Sequence, residues 1–317
     1  MMKDLFLNPQ LQYLRAGWRM AIFAVIAFLT VNVLVGPFAL AFRDQAWFKF
    51  ESVQVLLTYS ALTVAAWVML RFVDRRPFVS VGLHFRAGWG REIGQGVAMG
   101  TAMMSAIAAV LHGAGWVSVE FRSLETGEML FILGNSLVTY IAVGYGEEFM
   151  FRGYLFQTFR EGTNTVVPVA VLSLLFAAAH MGNPNVSVFG LINIAMAGVW
   201  LSLAYVKTNA LWFPMGLHFS WNFTQGFVYS LPVSGTTSPN TQIGTAVVTG
   251  PEWLTGGSFG PEGGALATIV LIVATLAIVL WPAIRPAEGS WTYASWQEER
   301  LRVLTPAAPA EEGTVPQ

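Results

Sequence analysis

The chain has 317 residues and a net charge of −1, with 55% apolar side chains, only 11% charged ones and no cysteine; its mean hydropathy is +0.56. Soluble domains carry about 25% charged residues, so the composition points to an all-α polytopic membrane protein, and near-neutrality offers no long-range attraction for nucleic acid. The missing cysteine excludes disulfides, thiolate catalysis and Cys-ligated metals.

Apolar runs near the ~20 residues that cross a bilayer as a helix fall at 16–42, 52–72, 93–116, 129–159, 166–180, 186–206, 211–231 and 265–284. The first exceeds the ~7–15-residue apolar stretch of a cleaved signal, so it is read as a first transmembrane helix; the fifth is short. Basic residues support the count, because alternate connections should carry the Lys and Arg excess. Lys3, Arg15 and Arg19, then Arg71, Arg75, Arg76, Arg86 and Arg91, then Arg160, Lys207, Arg285, Arg300 and Arg302 fall on one side; Arg43, Lys49 and Arg122 fall on the other. The expected architecture is a single integral-membrane domain over 1–286, with about eight helices, a buried polar cavity and both termini cytoplasmic. The connection 232–264, rich in Gly, Pro, Ser and Thr, reads as a structured external loop whose segment 255–262 forms helix-capping turns. The Ala-, Pro- and Glu-rich tail 287–317 reads as largely disordered, with 291–304 able to form a short interfacial helix.

Three polar islands interrupt the apolar runs, and ionisable groups in hydrocarbon are expensive enough to be functional candidates by default. In the fourth run, Glu147 and Glu148 project about 100° apart, whereas Glu148 and Arg152, four residues apart, lie one above the other. Glu148–Arg152 is therefore read as a structural clamp and Glu147 as the free carboxylate. Gly144 and Gly146 allow a backbone to approach closely, either a substrate peptide or a neighbouring helix. In the fifth run, His180 shares a face with Phe176 and Ser173. The turn 161–164 separates the two helices, and Glu147 and His180 stand equally far from it, roughly 24 Å at 1.5 Å per residue, so an antiparallel hairpin lets them meet. In the seventh run, His218 and Asn222 point to one place, either as interhelical hydrogen-bonding groups or as donors to a developing oxyanion. Asn193 in the sixth run reads as an interhelical hydrogen-bonding group.

The ordered motifs E-E-x-x-x-R, F-x-x-x-H and H-x-x-x-N within apolar helices resemble those of the CAAX-protease and bacteriocin-processing family of intramembrane endopeptidases, which includes the Ras-converting CAAX endopeptidase. The core of the likeness runs over about 133–223, and the segments 74–83 and 256–262 look like bacterial members, which implies a bacterial cytoplasmic membrane. The resemblance implies an endopeptidase acting on a peptide or protein substrate at the membrane. Glu147, assisted by His180, would activate a water, His218 and Asn222 would hold the oxyanion, and Glu148 and Arg152 would support them. No cofactor is required on that reading. The alternative is zinc held by Glu147, His180 and His218, since one Glu and two His form a known ligand set; against it stand the absent H-E-x-x-H pair, the origin of the ligands on three helices, and Asn222, a poor zinc ligand. A competing class is a non-proteolytic membrane protein: a proton-coupled transporter relaying through Glu147 and His180, or a peptide-binding immunity scaffold. The two related halves common in transporters are not visible. The topology is tested by reporter fusions after Leu83 and after Gly257, which should report opposite faces of the membrane; the same face for both would end the eight-helix arrangement.

Overall fold

A computed structural model describes residues 5–8, 13–286 and 298; the tail expectations for 287–317 lie, apart from Glu298, outside the described residues. The structure is mostly helical. Among the described residues, five helices are long and apolar enough to cross a membrane: α1 (Ala16–Phe42), α2 (Glu51–Asp74), α3 (Trp89–Gly113), α4 (Thr126–Gly162) and α6 (Val188–Thr208). Two shorter apolar helices, α5 (Val166–Ala179) and α8 (Ala265–Leu280), accompany them, and α7 (Trp212–Phe223) runs on into a π turn at Thr224–Val228. All eight expected segments thus form helices, but only five have full spanning length. The 14-residue α5 reaches about 21 Å at 1.5 Å per residue, short of the ~30 Å hydrocarbon core, because the polar turn from His180 to Asn185 ends it. Outward apolar side chains on α1 (Val25, Phe28, Val33, Leu40) and α8 (Ile269, Val273, Leu280) stay exposed, as a lipid-facing surface requires.

The connection 232–264 is ordered, as expected, and it carries an element that the helical pattern hides. Strand β1 (Val117–Phe121) pairs antiparallel with β2 (Gly244–Val248), Val117 opposite Val248 and Phe121 opposite Gly244. Alternation in Val117-Ser118-Val119-Glu120-Phe121 is a strand signal, overlooked because it falls in a connection between apolar runs.

Charge at the end of the bundle where α1 starts and α2 and α4 finish is also more buried than the loop count assumes. Arg19 is fully enclosed and bonds Asp74 at 2.9 Å and Glu161 at 2.5 Å, tying α1 to the ends of α2 and α4. Arg76 is buried against Gln157 and Ser80. Two of the cations counted as loop charge are thus internal ties.

Helix α7 is held against α3 and α4. A Cβ on Gly100 would lie 2.2 Å from Ser220 Oγ and 2.5 Å from the Leu217 carbonyl, so the helices touch there through backbone, the small-residue contact that replaces hydrophobic driving force in lipid. That contact fixes the depth of α7, which carries His218 and Asn222. Gly100→Ala is expected to destabilise the protein by about 1–3 kcal/mol through overpacking. Gly134→Ala, in α4 with nothing within 4 Å of its added Cβ, should be neutral or gain up to about 1 kcal/mol from helix propensity. Thermal unfolding in detergent measures both, and equal shifts would contradict the packing argument.

Candidate active site

Helix α4 changes character where the acids sit. Its regular part ends at Glu148, a π turn follows over Phe149–Tyr154, and Gly153 departs from helical geometry at φ −79°, ψ −109°. Such bulges mark functional sites often enough to direct attention there. The turn leaves the expected clamp intact: Arg152 Nη1 donates to Glu148 Oε1 at 2.9 Å, with both side chains fully buried. Arg152 also donates to the Gly198 carbonyl at 2.8 Å and lies over the Phe176 ring, 4.7 Å from its centroid.

Glu148 does more than hold Arg152. The same Oε1 receives His218 Nδ1 at 2.9 Å. A carboxylate already paired with an arginine can only accept, so His218 Nδ1 carries a proton and Nε2 is the ring atom left for chemistry. That Nε2 stands 3.7 Å from Glu147 Oε2. The gap is too long for a hydrogen bond.

Glu147 is anchored from the other side. Tyr59 Oη on α2 donates to its Oε1 at 3.1 Å, and the space for that ring comes from Gly146, where a Cβ would lie 2.0 Å from Tyr59 Cγ. Gly144 faces the backbone of α7. Both glycines therefore serve helix packing, and neither opens a path for a substrate backbone. Glu147 Oε2 accepts no hydrogen bond.

A cavity of about 430 Å³ collects Glu147, His180, His218 and Asn222 along one wall system built from α4, α5, α6, α7 and the ordered connection. His180 enters at the end of α5, its Nδ1 donating to the Phe176 carbonyl at 2.7 Å. It makes no direct pair with Glu147. The expected meeting of Glu147 and His180 is corrected to this extent: the hairpin brings them to one cavity, but α7 inserts His218 as the nearer imidazole. Asn222, 7% exposed, makes no hydrogen bond among the described residues, which leaves its amide to the cavity. For zinc, no three His, Asp or Glu side chains among the described residues are grouped so as to hold an ion; Glu147, His180 and His218 share a cavity without forming a ligand set.

Tyr59 and Glu262 escaped the sequence reading. A tyrosine in an apolar helix looks like core, so Tyr59 carried no signal. Glu262 did, as an acid between Pro261 and Gly263, but capping turns explained it equally well. It reaches into the cavity wall and accepts from Ser234 N at 2.5 Å, Gln225 Nε2 at 3.1 Å and Trp221 Nε1 at 3.4 Å. Burial pushes its carboxyl above the usual carboxylate range, opposed by those donors. Asn193 clamps the same loop as expected of a bonding group, donating to the Glu262 and Gly264 carbonyls at 2.8 and 3.0 Å.

Residues 128–224 match the family model described as Type II CAAX prenyl endopeptidase Rce1-like. The matched segment holds all three motifs and supports assignment to the CAAX-protease and bacteriocin-processing family. No curated protein and no solved structure matches the chain. The geometry predicts that Glu148→Ala costs about 3–5 kcal/mol, since it strands a buried guanidinium, and that adding Arg152→Met recovers part of the loss. Unfolding of the single and double variants in detergent decides this; additive losses would mean that the pair is not coupled.

Proposed function

We propose that this chain, Rce1-like over residues 128–224, is an intramembrane endopeptidase that hydrolyses a peptide bond of a membrane-associated protein or peptide, with Glu147 as the base that activates water. The observation that carries the reading is the split fate of two adjacent acids. Glu148 is fully buried and held through one oxygen by Arg152 and His218, while Glu147 lines the cavity and carries an oxygen that accepts no hydrogen bond among the described residues.

In the reaction, a water bonded to Glu147 Oε2 gives up a proton to it as its oxygen attacks the peptide carbonyl carbon. His180, on the same cavity, is the second partner that orients this water. The carbonyl oxygen takes the negative charge and is met by Asn222 Nδ2 and, when the imidazole carries both protons, by His218 Nε2–H. The C–N bond then breaks, and the departing nitrogen takes the proton from Glu147, so a carboxylic acid and an amine leave with the base restored. Tyr59 keeps Glu147 turned towards the cavity by occupying Oε1. Enclosure strengthens every one of these contacts, because donors aimed at developing charge are worth more in a dry, preorganised site than in water.

No step in this scheme uses a metal. Reconstituted protein is expected to cleave members of a peptide library and to keep that activity in chelator. Glu147→Gln should lose several orders of magnitude in rate while still binding substrate, since it removes proton acceptance and keeps shape. Asn222→Ala should lower turnover by about 100–1,000-fold with little change in binding, as an oxyanion donor acts in the transition state. Proton flux without cleavage would sink the proposal in favour of transport, and stoichiometric zinc whose removal and return track activity would replace the mechanism.

A further inference from the structure

Three acids line the cavity, and among the described residues its potential cations are the imidazoles of His180 and His218. Glu51, Glu147 and Glu262 line it, and neither lysine nor arginine does. Glu147 and Glu262 have the partners described above. Glu51, the first residue of α2, makes no hydrogen bond among the described residues, and its Oε2 is enclosed. The helix N-terminus offsets part of that charge, but no backbone N–H bonds the carboxylate. A carboxylate oxygen enclosed without a partner is costly.

A second group beside the cavity is also unmet. Thr139 on α4 is 6% exposed and its Oγ1 has no hydrogen-bond partner among the described residues, yet it lines the same cavity as Glu51. An anionic acceptor and a neutral hydroxyl acceptor together suit an N–H-rich cation. An incoming anion would meet three carboxylates.

We propose that Glu51 and Thr139 form a subsite for a cationic group of the substrate, an ammonium or guanidinium on a peptide. The proposal rests on the endopeptidase reading and deepens it to a substrate class. Its place on the substrate follows from helix geometry. Glu51 lies eight residues before Tyr59, which touches Glu147, so about 12 Å at 1.5 Å per residue separates the subsite from the level of the base. Extended peptide covers about 3.3 Å per residue. The cation therefore belongs three or four residues from the bond that is cut.

The test uses wild-type protein in nanodiscs and quenched-fluorescence apolar peptides in which a single Lys or Arg replaces norleucine at each position, with free or acetylated N-termini. A basic residue three or four positions from the cleaved bond should raise kcat/KM by about tenfold, which corresponds to ~1.4 kcal/mol. Persistence after acetylation identifies a side-chain cation, and loss identifies the terminal amine. Glu51→Gln should bring the basic-to-neutral ratio close to one, and Glu51→Asp should keep part of it. A flat positional profile in the wild type overturns the subsite whatever the variants do, as does a preference that survives Glu51→Gln. Capture of the same peptides by Glu147→Gln separates the two readings. Enrichment of basic peptides without any wild-type cleavage sinks the endopeptidase and keeps the subsite; cleavage without enrichment does the reverse.

Discussion

The fully buried Glu148–Arg152 pair is the contact on which the site depends. A buried ion pair is weak evidence for stability by itself, because desolvation can exceed the Coulombic gain. This one is embedded in further bonds: Arg152 reaches the α6 backbone at Gly198 and Ser202 Oγ, and Glu148 Oε1 also receives His218 from α7. One carboxylate oxygen thus joins α4 to α7, and through the arginine α4 to α6. If the pair were replaced by hydrocarbon the fold could survive, but His218 would lose the partner that fixes its tautomer and aim. The pair is better understood as an orienting device than as a source of stability.

Backbone contact supplies what the ion pair cannot. Polar groups on separate helices meet at fixed distances only if the helices themselves cannot slide, and in lipid that rigidity comes from close packing. Gly100 lets α3 touch α7 through the Leu217 carbonyl, and Gly146 lets the Tyr59 ring sit against α4. The second of these has a direct chemical result, since the ring that fills the space left by Gly146 is the one that bonds Glu147. A packing glycine and a reactive acid are thereby neighbours in sequence for a physical reason.

Local spacing made part of this legible. The i,i+4 relation of Glu148 and Arg152 identified the clamp, which holds as geometry; counting from the turn at 161–164 put Glu147 and His180 at one depth, and the two line one cavity without meeting. Contacts between residues 70 to 90 positions apart were not legible. His218 bonds Glu148 across 70 residues and Tyr59 bonds Glu147 across 88, and neither α7's angle of approach nor the rotation of α2 is written in any local pattern. The β1–β2 ribbon escaped for a related reason: its nearest rung pairs Phe121 with Gly244, 123 positions apart, and each strand alone is a short stretch of connection. Glu262 was visible as a residue and invisible as a wall of the cavity, because only the folded loop brings it to Trp221 and Gln225.

Two carboxylates side by side in sequence normally compete, because in a poor dielectric a like charge disfavours ionisation of its neighbour. Helix geometry resolves the competition here by sending them about 100° apart. One turns inward to a guanidinium that neutralises it, which removes most of its field from the cavity. The other turns to a phenol and an imidazole, neither of which is a permanent cation. The first is committed to structure and the second keeps an acceptor oxygen open. The two roles are set by spacing: Arg152 neighbours the residues three and four before it, of which Phe149 is apolar and Glu148 is the acid, whereas Glu147 lies five before it. The position of a single arginine therefore decides which of two identical side chains is free to react.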